Sequence, residues 1–370
     1  MEYPRSTVKD AGAECWQLDD NVMRLRRWAL DGGQVFPQRS AEGLVVGSGE
    51  ASWLRIDDDR GRVSRRHAVI SGGDGKWVLE DAGSTNGIMA DGVTRTMVEL
   101  EAGMELWLGG VTLVAESLRS IALRAFLGRL LGWSPERMED VDLALRAIRI
   151  AKKRQGALVL CGTDKLALLA RALHHRVLGA DRPFVMCDPR RERVDESIRA
   201  ALNYQSGMEA LPAARDGSLC IWTRRPPPDV AEMRRALKNP DTRVQLIVCG
   251  TEPREAEIFG VAPIAVPSLS SRTKDLPRII EEYAHEITAD LGLERSSFPR
   301  GDQSWVLHQS SGSLPEIEQA ILRILRLRQV DGDRTVAADQ LGMSKSYLNK
   351  WIKSRNPPIP MKGKSLKADE

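Results

Sequence analysis

The chain has no uninterrupted apolar run long enough to span a bilayer, and its first residues, MEYPRSTVKDAGAE, lack the apolar core of a signal peptide. Both absences point to a cytoplasmic protein with no membrane partner. Cysteine is scarce and unpatterned: Cys15, Cys161, Cys187, Cys220 and Cys249 are odd in number and show no CxxC spacing. Disulfides and zinc are therefore not expected. Four of the five lie in or beside apolar runs, where a free thiol behaves as a small hydrophobe. A strong excess of one charge is also missing, since +3 over 370 residues does not by itself imply nucleic-acid binding. The charge is unevenly placed, however. Arg334 to Glu370 carries eight Lys/Arg against three Asp/Glu, a surplus of +5 that leaves −2 for the rest.

What remains is a globular composition, 42% hydrophobic and 28% charged, on a chain long enough for two or three domains with their own cores. From about Leu25 to Ala115, short apolar segments such as GLVVG, HAVIS, KWVLED and MELWLGGVTLV alternate with Gly and Asp turns. That spacing predicts an all-β sandwich. From about Arg119 to His285 helices alternate with strands: SPERMEDVDLALRAIRIAKKR precedes ALVLC, and PFVMC, GSLCIW and VQLIVCG follow. This alternation predicts a parallel sheet covered on both faces. Beyond Glu286 the apolar residues return to helical spacing, as in LPEIEQAILRILRLRQ.

Within the β-rich part, VVGSG, VSRRHAVI, WVLEDAGSTNGIMADG and MELWLGG occur in an order that resembles the forkhead-associated (FHA) domain over nearly its whole length. The resemblance implies a sandwich whose loops at one end bind a phosphothreonine peptide. By position it assigns Ser64 and Arg65 to the phosphate, Asn86 to the peptide backbone and Thr85 to the shape of the site. Gly47, His67 and Gly87 would support the loops. Ser48 is also placed at the binding surface, where the family usually has an arginine as a main phosphate ligand. Losing such a donor costs about 1.5–3 kcal/mol, which Arg65 or Arg66 would have to offset. The chemistry is sound on its own terms: hydroxyls and guanidinium groups are the right donors for a phosphate, and Asn pairs with a peptide group as donor and acceptor. The same Ser, His and Asn would also serve merely to tie loops together.

The middle part resembles the AAA+ domain of sigma-54-dependent transcription activators over roughly Arg119 to Leu327, by the order of its segments. Its chemistry departs from that family. A phosphate loop needs glycines and a Lys, whereas the turn here is GTDKLA, short, with Asp164 opposed to phosphate and Lys165 too early. Trp222 and Thr223 stand at the magnesium carboxylates, Thr251 at the sensor asparagine and Pro315 at the lid arginine. No GAFTGA sequence lies between Asp188 and Ala214. The expectation is a domain without ATP hydrolysis, cofactor or metal. His174, His175, His285 and His308 form no catalytic set and are read as structural.

At the C-terminus, RTVAADQLGMSKSYLNKWIKS has helix-turn-helix spacing. Ala338 allows close packing, Gly342 permits the turn, Ser344 caps the second helix, and Leu341, Met343, Leu348 and Trp351 face a shared core. The segment resembles the Fis-type unit that ends the same activators. Lys345, Ser346, Asn349, Lys350 and Lys353 then face outward, a mixture suited to base edges and phosphates. A helical hairpin with a solvated basic face has the same spacing.

These readings divide the chain into an extension (1–21), an FHA-like sandwich (22–118), a degenerate AAA+ core (119–286), a helical lid (287–329), a helix-turn-helix (330–356) and a basic tail (357–370). The expected function is a bacterial DNA-binding regulator with a phosphothreonine-protein input, double-stranded DNA as target and a homo-oligomer of at least two subunits. The other reading is a phosphopeptide-binding adaptor without specific DNA binding.

Overall fold

The computed structural model describes residues 21–38, 41–154, 156–163, 165–179, 181–190, 202–294, 298–309 and 313–359. Cys15, Asp164, the expected extension apart from its last residue, and nearly all of the expected basic tail lie outside them.

The N-terminal part is the expected β-sandwich. One sheet contains β1 (Arg24–Arg27), β2 (Gln34–Val35), β7 (Ile88–Ala90), β8 (Val93–Arg95), β10 (Glu105–Leu108) and β11 (Val111–Glu116), in the order β2-β1-β11-β10-β7-β8. The other contains β3 (Ala41–Gly47), β4 (Leu54–Arg55), β5 (Ala68–Gly73), β6 (Lys76–Asp81) and β9 (Met97–Glu99), in the order β4-β3-β5-β6-β9. Alternate residues of both sheets meet in one core that includes Leu25, Val46, Ile70, Trp77, Leu79, Leu106 and Leu108. Two hairpins close through Asp-Gly pairs, Asp74-Gly75 and Asp91-Gly92, with all four residues at positive φ. Two-residue loops of this hand match the twist of the flanking strands, and Asp-Gly adopts them at low cost.

Ser117 caps the next helix, α1 (Leu118–Leu131), through a reciprocal bond with Ser120. Helix α2 (Pro135–Arg154) follows and packs against α1. The strands β12 (Leu158–Gly162), β13 (Phe184–Cys187), β14 (Leu202–Tyr204), β15 (Ser218–Trp222) and β16 (Gln245–Gly250) are parallel, in the order β14-β13-β15-β16-β12. Their connections carry α3 (Leu166–Leu178), α4 (Gly207–Ala213) and α5 (Val230–Ala236). β16 is buried along its whole length, as expected of a strand covered on both faces. His174 is buried too, between Ser218 Oγ (2.8 Å) and Arg182 O (3.1 Å). Cys161, Cys187, Cys220 and Cys249 are buried free thiols.

The C-terminal region is helical: α6 (Leu276–Asp290), α7 (Arg300–Gln309), α8 (Leu314–Gln329), α9 (Arg334–Gln340) and α10 (Lys345–Arg355). The expected boundary between core and lid at 286/287 falls inside α6. Ile279, Ile280, Tyr283, Ala284, Ile287 and Thr288 form one buried stripe across it, so the helix cannot be divided there.

Candidate functional site

The loops after β3, β4 and β6 meet at one end of the sandwich. Gly47 and Gly49 lie against the backbone of the β4–β5 loop: a Cβ on Gly47 would come within 2.3 Å of Arg65 O. Only glycine allows that approach, and it lets Ser48 N–H donate to Ser64 O (3.1 Å) and Gly49 N–H to Arg65 O (3.0 Å). The loop is braced from within by Asp58, whose carboxylate accepts from the backbone N–H groups of Arg60 (3.1 Å), Val63 (2.8 Å) and Arg62. Desolvation opposes its ionisation, but these three donors outweigh it and hold the carboxyl below its ordinary range.

His67 ties this loop to the β6–β7 loop. Its Nδ1 accepts from Ser64 N–H (3.1 Å), which leaves the ring proton on Nε2 to donate to Gly87 O (2.9 Å). Thr85 N–H donates to Ser64 Oγ (3.2 Å), and Asn86 Nδ2 donates to Arg62 O (2.8 Å). Ser84 and Asp81 close the second loop, with Ser84 Oγ donating to Asp81 (2.6 Å) and accepting from Gly87 N–H (2.9 Å). All eight residues singled out in this part of the sequence therefore belong to one cluster. Arg65, Thr85 and Asn86 are exposed, Ser64 is half-buried, and His67 is enclosed. Ser48 is a correction. Its hydroxyl donates to Val63 O (2.9 Å), so in this arrangement it supports the loop and has no proton to give a ligand.

In the middle region, two positions compared with a nucleotide site, Thr223 and Thr251, are both engaged by Glu255. Thr223 Oγ1 donates to Glu255 Oε2, Thr251 N–H donates to the same oxygen (3.1 Å), and Thr251 Oγ1 donates to Glu255 Oε1 (2.9 Å). A Cβ on Gly250 would lie 2.7 Å from that carboxylate, so the chain closes tightly around it. Desolvation opposes the Glu255 charge, but the Thr223 and Thr251 donors prevail and hold its carboxyl below the ordinary range. Separately, Lys165 Nζ forms an ion pair with Glu316 (2.8 Å). Burial pushes the Cys161 thiol up to about 11, with Glu255 adding to the effect, and Cys187 up to about 12. Neither is a poised nucleophile.

The residues expected to face outward on α10 do so. Lys345, Ser346, Lys350 and Lys353 are exposed and Asn349 is half-buried, and their spacing of about four puts them on one helix face. Ser344 accepts from Tyr347 N–H (3.2 Å), and Gly342 has φ +62° in the turn between α9 and α10. Leu327, Ala337, Ala338 and Leu348 form the buried centre, with Leu341, Met343 and Trp351 packed around it. Asn349 Oδ1 also accepts from Arg334 Nη1 (3.1 Å), which fixes its orientation across the two helices.

One feature has no trace in the sequence pattern. Arg26 of β1, 1% exposed, donates to Glu116 Oε1 (2.8 Å) and, as a fork, to Asp142 of α2 (2.6 and 2.9 Å). Arg146 makes a second fork to Glu105 (both 2.6 Å) while lying over the Trp28 ring, and Arg149 makes a third to Asp91 (2.5 and 2.6 Å). Burial disfavours the Arg26 charge, yet the bonds and charges of Asp142 and Glu116 raise its pKa still further. The sandwich is thus joined to α2 by three arginine–carboxylate forks.

The FHA domain family model matches residues 44–109, which contain the whole loop cluster. That part of the chain is an FHA domain. Similar solved structures include an FHA domain from a structural and functional analysis of phosphothreonine-dependent FHA interactions. It is 25% identical, with a TM-score of 0.22, over 25% of this chain and 93% of its own. The FHA domain of CT664 from Chlamydia trachomatis is 24% identical, with a TM-score of 0.23, over 25% of this chain and 95% of its own. NtrX from Brucella abortus, solved with ATP, is 17% identical, with a TM-score of 0.31, over 62% of this chain and 71% of its own. A search of curated proteins found no match. Among the described residues no helix is long and apolar enough to cross a membrane.

Proposed function

We propose that this chain is a DNA-binding transcriptional regulator whose FHA domain receives a phosphothreonine-bearing protein. The observation that carries the first half is the loop cluster. Ser64 Oγ, Arg65 and Asn86 lie at one end of the sandwich, and His67 links the two loops that present them. A phosphate there receives a hydroxyl and a guanidinium donor, and the half-exposed loops leave room for the peptide on either side. Arg65 supplies the charge that Ser48 lacks.

The second half rests on α9 and α10 as a helix-turn-helix. The seven-residue α9, the four-residue turn and the eleven-residue α10 with its basic outer face are the parts that place a recognition helix in a major groove. Between the two, the parallel sheet acts as a scaffold that does not hydrolyse ATP, and the protein works as an oligomer. Thr223 and Thr251, at the positions of the magnesium and sensor groups, are spent on Glu255, and Lys165 is paired with Glu316. The deciding experiment is selection of DNA from a random pool by the full chain, beside titration with a phosphothreonine peptide library and its unphosphorylated counterpart. Phosphate-selective peptide binding without an enriched DNA motif would favour an adaptor.

A further inference from the structure

The β4–β5 loop carries more guanidinium groups than one phosphate uses. Arg60, Arg62, Arg65 and Arg66 are all exposed, and their guanidinium groups make no hydrogen bond or ion pair among the described residues. The nearby carboxylates balance them only in part. Asp57 is paired with Arg55 (3.1 Å), while Asp58, which accepts from three backbone N–H groups of the same loop, keeps its charge beside Arg62. Asp59 adds one more charge, so the four arginines face two carboxylates that are not already paired with Arg55. Arg62 is also held in place. Its carbonyl receives Asn86 Nδ2 (2.8 Å), and a Cβ on Gly109 would lie 2.3 Å from that carbonyl, so the loop lies flush against the β10–β11 turn.

From this surplus we infer that the partner segment carries further negative charge beside its phosphothreonine, as acidic residues or a second phosphate. This rests on the phosphothreonine reading of the same loops. Arg65 serves the central phosphate. Arg60 and Arg62, on the approach to Asn86, meet the flanking anions at the rim. Contacts of this kind are solvated and individually weak, and they are screened by salt. They select among phosphopeptides and speed encounter without replacing the central contact.

The test uses the full chain and four versions of one peptide: phosphothreonine with alanine flanks, with aspartate flanks, with a flanking phosphoserine, and the aspartate-flanked peptide unphosphorylated. At low salt the aspartate- and phosphoserine-flanked phosphopeptides should bind about threefold to tenfold more tightly than the alanine-flanked one. The gap should shrink as salt rises. In the Arg60→Gln/Arg62→Gln protein the gap should close while affinity for the alanine-flanked phosphopeptide stays within about twofold. Thermal unfolding and Arg60→Gln alone check that the variant folds. Equal affinity of the three phosphopeptides for the wild-type chain overturns the inference and leaves phosphothreonine binding intact. Binding of the unphosphorylated acidic peptide as tightly as its phosphorylated form, or of no phosphopeptide at all, overturns both.

Discussion

Ser64 serves two purposes at once: its backbone N–H fixes the His67 ring, and its Oγ accepts from Thr85 N–H while donating only over a long 3.5 Å contact to Thr85 Oγ1, a weak bond that a phosphate oxygen can replace. Ser64→Ala should therefore weaken phosphopeptide binding by roughly 1.5–3 kcal/mol, the worth of a hydrogen bond to a charged group. Arg65→Ala should cost at least as much, and titration calorimetry reads both. The motifs made these residues legible because a phosphate-binding loop needs hydroxyl and guanidinium donors at set positions. They could not show where Ser48 Oγ points, because that depends on Val63 O, fifteen residues away. His174 gives a second prediction at this scale. Burial pushes it down to about 4, against an ordinary value near 6.5. Between those values the unfolded chain takes a proton that the folded chain refuses, so stability rises with pH across the window. The contribution is fully present above pH 6.5 and is lost as pH falls toward 4, at most on the order of 3 kcal/mol. Urea midpoints measured from pH 7 to 4 should fall more steeply for the wild type than for His174→Gln.

Elements with a strong local pattern agree with their sequence, and elements defined by distant partners do not. The helix LPEIEQAILRILRLRQ coincides with α8, Leu314–Gln329, and VQLIVCG contains β16. β14 is three residues long, too short to show a pattern of its own, and nothing local marks the joint between β1 and α2, because Arg26 and Asp142 are 116 positions apart. Charged residues on a helix read as a solvated face until the partner sheet is known. The joint is testable as such. Asp142→Ala strips a buried guanidinium of its fork and should destabilise the fold by about 3–5 kcal/mol. Arg26→Met combined with Asp142→Leu should cost less than the single change, because the buried pair is removed together while Glu116 keeps Arg24 and Arg124 keeps Asp31. Denaturant midpoints decide this. The β12–α3 turn carries the corresponding nucleotide prediction. With Lys165 paired to Glu316 and no magnesium carboxylates, the purified protein should neither bind nor hydrolyse ATP. An ATP-dependent rise in Tm that disappears in Lys165→Ala would contradict it.

For the molecule as a whole, the separation of charge matters more than its sum. The +5 of residues 334–370 against −2 for the rest concentrates net positive charge in that segment, which suits a reader of DNA. A single small unit of this kind binds weakly, so two copies on a two-fold site with half-sites about one helical turn apart are expected. Residues on α10 then divide by role. On the DNA-binding reading, Asn349, oriented by Arg334, is the residue for base edges, and Asn349→Ala should relax the sequence preference. On the same reading Lys353 would meet phosphate, so Lys353→Ala should weaken binding to all sequences alike and lower the slope of log affinity against log salt by about one. Lys350 can serve either role, since a lysine reaches a guanine edge or a phosphate. Selection from random DNA followed by salt titration separates these cases. A two-fold motif that is lost on removal of 334–370 would establish the reader. Binding that shows no motif and survives that deletion would make the terminal helices structural and the protein an adaptor.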